Sequence, residues 1–134
     1  MKLIRLALIA GIAALAGCQS KPTAVVNIPA GKSAALRTME QVGIAAQTCW
    51  FASKDKVFQK YSFANELNSM SGQPRFLLVP KGNFGGRPLL VVQAKGNSNR
   101  VDAFGPLLEG EYRARISSDI DRWSRGDSRC NAAA

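Results

Sequence analysis

The chain has 134 residues, three cysteines and no histidine, and it carries 18 basic residues against 9 acidic ones. This length suffices for one domain with a modest core and is too short for two. The missing histidine removes the usual general base and the most common metal ligand. We therefore expect a protein that is not an enzyme and that holds neither a metal nor a cofactor.

The start of the chain has the order of a secretory signal. Lys2 and Arg5 form a basic beginning, residues 6–15 are almost wholly apolar, and small residues lead to Cys18. A permanent membrane span needs about 20 apolar residues, and this run has only about ten. The pattern predicts an exported chain in which residues 1–17 are a cleaved signal peptide.

The segment Leu15-Ala16-Gly17-Cys18 resembles the lipobox of bacterial lipoproteins. The resemblance covers residues 1–18 and implies that Cys18 is lipidated and becomes the N-terminus. An ordinary signal cleaved after Ala16 is the alternative, because residues 14–16 also fit that cleavage pattern. In lipoproteins of Gram-negative bacteria, Asp after the cysteine favours retention at the inner membrane. Gln19 stands there in this chain, which implies the outer membrane, facing the periplasm; the outer face of the cytoplasmic membrane is the alternative.

The remaining cysteines are Cys49 and Cys130. An even remainder in an exported chain predicts a disulfide between them, and two buried free thiols are the alternative. The bond would close a loop of about 80 residues, for which the chain-entropy model gives about 4 to 5 kcal/mol.

Residues 18–32, which begin with the lipidated cysteine, contain two prolines, a glycine and several small residues without periodicity. They predict a tether with an extended reach of about 45 to 50 Å, at about 3.3 to 3.6 Å per residue. Residues 24–28, Ala-Val-Val-Asn-Ile, could instead pair with a sheet edge and shorten this reach.

A first helix is predicted from Ser33 to about Phe51, because apolar residues recur there at helical spacing. Ser33 suits the N-cap position. Gly43 lies on the apolar face and costs about 1 kcal/mol relative to alanine unless something packs closely against it.

The middle of the chain changes to the patterns of strands. Val57, Tyr61, Phe63 and Leu67 share a parity that predicts a half-buried strand. Two apolar blocks, 76–79 and 89–92, flank a glycine-rich turn over 81–87 and predict a hairpin. A short strand over 100–104 follows a second Gly-Asn turn.

A last helix is predicted to open at Gly105-Pro106 and to stop near Gly126. Three (i, i+4) ion pairs are expected on it: Glu109 with Arg113, Glu111 with Arg115, and Asp121 with Arg125. Asp55, Glu66 and Asp102 have no evident partner.

Taken together, the predicted elements follow the order α-β-β-β-β-α. It predicts one two-layer α+β domain over 33–130, in which an antiparallel sheet of about four strands is flanked by an N-terminal and a C-terminal helix. Residues 131–134 are expected to be a flexible tail. The disulfide would then clasp two helical elements lying side by side on one face of the sheet.

The two middle strands are apolar on consecutive positions, so the second sheet face also needs a cover. Strong sheet curvature, residues 24–28 or an apolar partner surface could supply it. A second candidate site is basic: Arg75, Lys95 and Arg100 should share one end of the sheet and form a weak anion-facing edge.

These features predict a non-catalytic, lipid-anchored periplasmic lipoprotein that binds an envelope protein as an accessory or assembly factor. Removal of residues 1–17 takes away Lys2 and Arg5 and leaves 16 basic residues against 9 acidic ones, a net charge of +7. A binder of an anionic envelope polymer or lipid is one alternative, and a small periplasmic enzyme inhibitor is another. Nucleic acid is not an expected partner of an exported, membrane-anchored chain.

Overall fold

The structure is a computed structural model that describes residues 31–95 and 97–130. The expected signal peptide, the lipidated Cys18, the tether up to residue 30 and the tail over 131–134 lie outside the described residues. None of the helices within 31–95 and 97–130 is long and apolar enough to cross a membrane.

The domain is α+β, with a helix before and a helix after a four-stranded antiparallel sheet, which confirms the predicted order. The strands lie in the order of the sequence, and each pairs with its neighbour in the chain. The elements are α1 (Ala34–Ala46), a π-helical turn (Gln47–Ala52), β1 (Tyr61–Glu66), β2 (Arg75–Pro80), β3 (Leu90–Ala94), β4 (Val101–Phe104), a 3₁₀ turn (Pro106–Leu108) and α2 (Arg113–Ser124).

Helix α1 begins as its sequence predicts. The Ser33 hydroxyl accepts a hydrogen bond from the Leu36 amide at 3.1 Å and so caps the first turn. The helix continues into the π-helical turn, where the Ser53 amide donates to the Thr48 carbonyl, five residues back. This turn carries Cys49 and Trp50, which are both buried.

The first strand is shorter than its parity indicates. Asp55 Oδ1 accepts from the Val57 amide at 3.0 Å, and the Phe58 amide donates to the Asp55 carbonyl at 3.0 Å, so the chain turns before the strand begins. At the end of the strand, Asn65 Oδ1 accepts from the Leu67 amide at 2.9 Å. Turn chemistry at both ends therefore overrides the alternation of apolar residues.

The predicted last helix is in fact two elements, a 3₁₀ turn and α2. Gly105 has a φ of 129°, and the Leu107 amide donates to the Leu89 carbonyl at 3.0 Å, which ties the 3₁₀ turn to the start of β3. Glu109 and Glu111 precede α2, so the pairs expected for them on a continuous helix are wrong. The third pair forms as predicted, with Arg125 Nη2 at 2.5 Å from Asp121 Oδ2.

Both helices pack on one face of the sheet, which we call the inner face. A parallel stack of Trp50 on Phe58, with ring centroids 4.4 Å apart, lies between the helices and the turn before β1. The fully buried members of the core come from the two helical elements, from the turn before β1 and from the inner positions of β2 and β3. They include Met39, Val42, Trp50, Phe58, Phe76, Leu78, Leu90, Val92, Ile116 and Trp123.

Candidate functional site

The predicted disulfide between Cys49 and Cys130 is present, with the two Cα atoms 4.8 Å apart. It joins the π-helical turn after α1 to the segment that follows α2. Because α1 and α2 pack side by side, the bond crosslinks the two helical elements beyond the C-terminal ends of α1 and α2, as the sequence predicts.

A buried polar cluster supports the disulfide. The Asp119 side chain accepts a hydrogen bond from Trp50 Nε1 at 2.9 Å and another from Arg122 Nη2 at 2.7 Å. Arg122 also donates to the Arg129 carbonyl at 2.9 Å and to the Cys130 carbonyl at 3.3 Å. The cluster thus holds the segment that carries Cys130 against the helices.

This cluster is internally satisfied. Asp119 is 4% exposed and Arg122 is 9% exposed, and each has its opposite charge within hydrogen-bond distance. Within the described ranges, no buried side-chain nitrogen or oxygen lacks a hydrogen-bond partner. The arrangement therefore suits a structural role, because the lone pairs and protons of both groups are already engaged.

The three acids that the sequence leaves without partners each have one. Asp55 binds Arg115, which lies 60 residues further along the chain. The hydrogen bond from this guanidinium is the main cause that lowers the pKa of Asp55 below its ordinary value. In the sheet, Glu66 Oε2 lies 2.6 Å from Arg75 Nε, and Asp102 Oδ1 lies 3.2 Å from Arg100 Nε.

Other shifted titratable groups also have local causes. The Arg129 guanidinium donates to the Asp127 carboxylate at 2.8 Å and lowers the pKa of Asp127 to about 2. A hydrogen bond to Glu111 raises the pKa of Tyr112. In the part of the chain that the structure describes, no three of the Asp, Glu and Cys side chains come together in a way that could hold a metal.

The three candidate anion-binding residues lie at one end of the sheet. Arg75 begins β2, Lys95 follows the end of β3, and Arg100 precedes β4. Arg75 and Arg100 are engaged with Glu66 and Asp102 as described, whereas Lys95 is exposed. This end therefore presents alternating charges, which attract an anion less than three unbalanced cations would.

The sheet face opposite the helices, which we call the outer face, carries an apolar row. The register places Ala64 beside Leu77, Leu77 beside Val91, and Val91 beside Phe104, so these four side chains cross all four strands in one line. The next row towards the charged end is polar and consists of Glu66, Arg75, Gln93 and Asp102. We call the first of these lines the outer apolar row.

The outer apolar row differs along its length in exposure. Phe104 is 49% exposed, Leu77 and Ala64 are partly exposed, and Val91 is 9% exposed. On the side away from the charged end, the Gly82 amide donates to Ser62 Oγ at 3.0 Å, and Val79, the register partner of Ser62, is fully buried. Among the described elements, both helices pack on the inner face, so neither covers this row.

The outer apolar row explains why β2 and β3 are apolar on consecutive positions. Inner positions fill the core, and outer positions form a surface that a partner could cover. Among the described residues, seven of the nine carboxylates are engaged in ion pairs and no cluster could hold a metal, so we take this row as the candidate functional site. In comparisons with known proteins, no protein-family model, no curated protein and no solved structure matches the chain.

Proposed function

We propose that this protein is a non-catalytic lipoprotein of the bacterial outer membrane, anchored by a lipid on Cys18 and facing the periplasm. In this proposal it binds another envelope protein through the outer apolar row and acts as an accessory or assembly factor. The observation that carries the binding role is the line of Ala64, Leu77, Val91 and Phe104 on a sheet face that neither described helix covers.

The disulfide supports export. Disulfides form and persist in the periplasm and outside the cell, and they are rare in the cytosol. The bond between Cys49 and Cys130 therefore agrees with a signal at residues 1–17 and leaves Cys18 as the cysteine available for a lipid.

The chemistry of the partner follows from the outer apolar row and from the charge of the chain. The row combines a half-exposed phenyl ring with aliphatic side chains, of which Leu77 and Ala64 are partly exposed, and interfaces are apolar and enriched in aromatic residues at their centre. The net charge of +7 after removal of the signal favours a partner whose rim is acidic, because opposite charges steer the encounter. We therefore propose an envelope protein with an apolar patch inside an acidic surface.

Site-specific crosslinking tests this interface. A photoreactive phenylalanine analogue is placed at position 104 in intact cells, and the control places it at position 84, where Phe84 is 65% exposed in the turn between β2 and β3. We expect one discrete protein adduct from position 104 and none from position 84. In the otherwise unmodified protein, Phe104→Asp should also abolish copurification of that partner, and the complex should survive high salt.

Two outcomes would contradict the interface. One is the same set of adducts from both positions, which indicates nonspecific capture. The other is retention that disappears as salt rises and that anionic vesicles reproduce, which favours the electrostatic alternative.

The anchor has its own test. Cys18→Ala should abolish incorporation of radiolabelled palmitate and release the domain from membranes. Gln19→Asp should move the protein to the inner membrane fraction, because Asp after the lipidated cysteine favours retention there. Continued lipid incorporation in Cys18→Ala would refute the anchor.

A further inference from the structure

An open groove lies between helix α1 and the edge strand β1. Its volume is about 460 Å³. The helical side is formed by Gly43, Ile44 and Thr48, and the strand side by Phe63, Asn65 and Leu67. Ile44 is 68% exposed, which is unusual for an isoleucine beside a core-forming helix face.

Among the described strands, only β2 pairs with β1, so the strand side of the groove is also a backbone edge that no described strand occupies. The Lys81 amide donates to the Lys60 carbonyl at 3.0 Å, and antiparallel pairs alternate between bonded and non-bonded positions. The backbone groups of Ser62 therefore point towards β2, whereas those of Phe63 and Asn65 point away from it, to the open edge. Such groups favour pairing with another extended chain.

The sequence of β1 does not protect this edge. Proteins commonly blunt an edge with lysine, proline or a very short strand. The strand Tyr61–Glu66 has six residues and contains neither lysine nor proline, whereas the opposite edge strand, Val101–Phe104, has four residues. The β1 edge is thus the one suited to receive a further strand.

We propose that residues 24–28 of this chain add to the edge of β1 as a fifth strand and place Val26 and Ile28 in the groove. The segment reads Ala-Val-Val-Asn-Ile and lies between Pro22 and Pro29. Its β-branched residues favour a strand. Alternation puts Val26 and Ile28 on one face, where Ile44 and Phe63 provide apolar contacts, and Asn27 on the other face.

The connection to α1 fits this placement. Lys32 lies at the rim of the groove, where its Nζ contacts Glu40 Oε1 at 2.7 Å. Ile28 is four residues before Lys32, so its Cα can lie up to about 14 Å from that of Lys32 at about 3.3 to 3.6 Å per residue. The position of Lys32 therefore leaves residue 28 within reach of the groove.

The occupant is a peptide of the same chain for two reasons. An acyl chain would cover Ile44 and Phe63 but would leave the edge amides and carbonyls unpaired, which is costly in a covered site. A segment of the same chain also acts at an effective concentration of about millimolar, so it outcompetes a second copy at ordinary protein concentrations.

The fifth strand would shorten the tether. Together with the proposed function, on which this consequence rests, it leaves five residues between Cys18 and Ala24, and the six steps from one Cα to the next reach about 20 Å instead of about 45 to 50 Å. The domain would then sit close to the membrane surface. The exchange experiment below needs no lipid, so failure of the anchor and failure of the strand can be distinguished.

Amide hydrogen exchange by NMR on the full chain tests the proposal. We expect the Phe63 and Asn65 amides to exchange at least about 100-fold more slowly than unprotected amides. Val26→Pro removes a donor from the added strand and should speed both amides by at least about tenfold. The control is Thr23→Pro, which lies outside the proposed strand and should leave their protection unchanged.

A second variant reports from the helical side of the groove. Ile44→Asp places a charge against the proposed strand, and the 68% exposure of Ile44 allows the domain to fold. It should speed the same two amides while leaving the Val92 amide, in the centre of the sheet, protected. Unprotected Phe63 and Asn65 amides in the parent chain would overturn the proposal. So would protection that survives Val26→Pro, or protection that appears only as a dimer forms with rising concentration.

Discussion

Replacement of Asp119 by asparagine is the sharpest test of the buried polar cluster. Asparagine has nearly the same volume, so the change removes a charge without opening a cavity. Arg122, at 9% exposure, would then face an amide in place of a carboxylate and keep the carbonyls of Arg129 and Cys130 as acceptors. Breaking a buried ion pair costs about 3 to 5 kcal/mol. Because two acceptors remain for Arg122, we expect the lower value, about 3 kcal/mol.

Urea unfolding of the oxidised protein measures this loss, with the fluorescence of the buried Trp50 and Trp123 as the signal. At an m-value of about 2 kcal/mol/M, a loss of about 3 kcal/mol lowers the midpoint by about 1.5 M. The matched control is Asp121→Asn on the same helix, because the exposed pair of Asp121 with Arg125 contributes about 0.5 kcal/mol or less. Equal midpoints for the two variants would refute the reasoning.

Three further changes test other parts of the domain. Cys49→Ser should lower the free energy of unfolding by up to about 4 kcal/mol, and an unchanged Tm in oxidising buffer would contradict a structural role for the disulfide. Gly43→Ala should raise the free energy of unfolding by about 1 kcal/mol, because alanine favours a helix more than glycine does. The added Cβ would lie 3.9 Å from two phenyl rings, which is an ordinary contact; a lower Tm would contradict this expectation. The hydrogen bond from Arg129 lowers the pKa of Asp127 from 3.8 to about 2. Their pair therefore stabilises the folded state fully above about pH 3.8, and this contribution is lost as the pH falls through about 2. Asp127→Asn should therefore be less stable than the parent at pH 5 and equal to it below pH 2, as urea titrations at both values can show; a parallel pH dependence would argue against it.

The parts of the fold that the sequence predicts well depend on contacts between near neighbours in the chain. Ser33 caps α1 through a residue three positions away, and the glycine-rich turn over 81–87 separates two strands as expected. The break before α2 was missed because a bond from the Leu107 amide to the Leu89 carbonyl ties that segment to β3. The residues around Gly105 contain no sequence pattern that predicts this hydrogen bond.

In the candidate sites, too, contacts between near neighbours in the chain are predictable from the sequence, and contacts between distant residues are not. The position of Arg75, Lys95 and Arg100 at one end of the sheet follows from the order of strands and turns. The pairing of Arg100 with Asp102 could have been found, since residues two apart in a strand share a face. By contrast, the pair of Asp55 with Arg115 spans 60 residues and depends on how the turn before β1 packs on α2.

The sequence by itself determined the order of elements, the pairing of Cys49 with Cys130 and the apolar character of both faces of β2 and β3. These properties follow from local spacing, turn residues and the number of cysteines. Only the tertiary structure decided that Asp119 and Arg122 form a buried pair, that Asp55 binds Arg115, and that the edge of β1 borders a groove. The reason is physical: a residue pattern records which side chains avoid water, whereas the packing of layers decides which surface covers them.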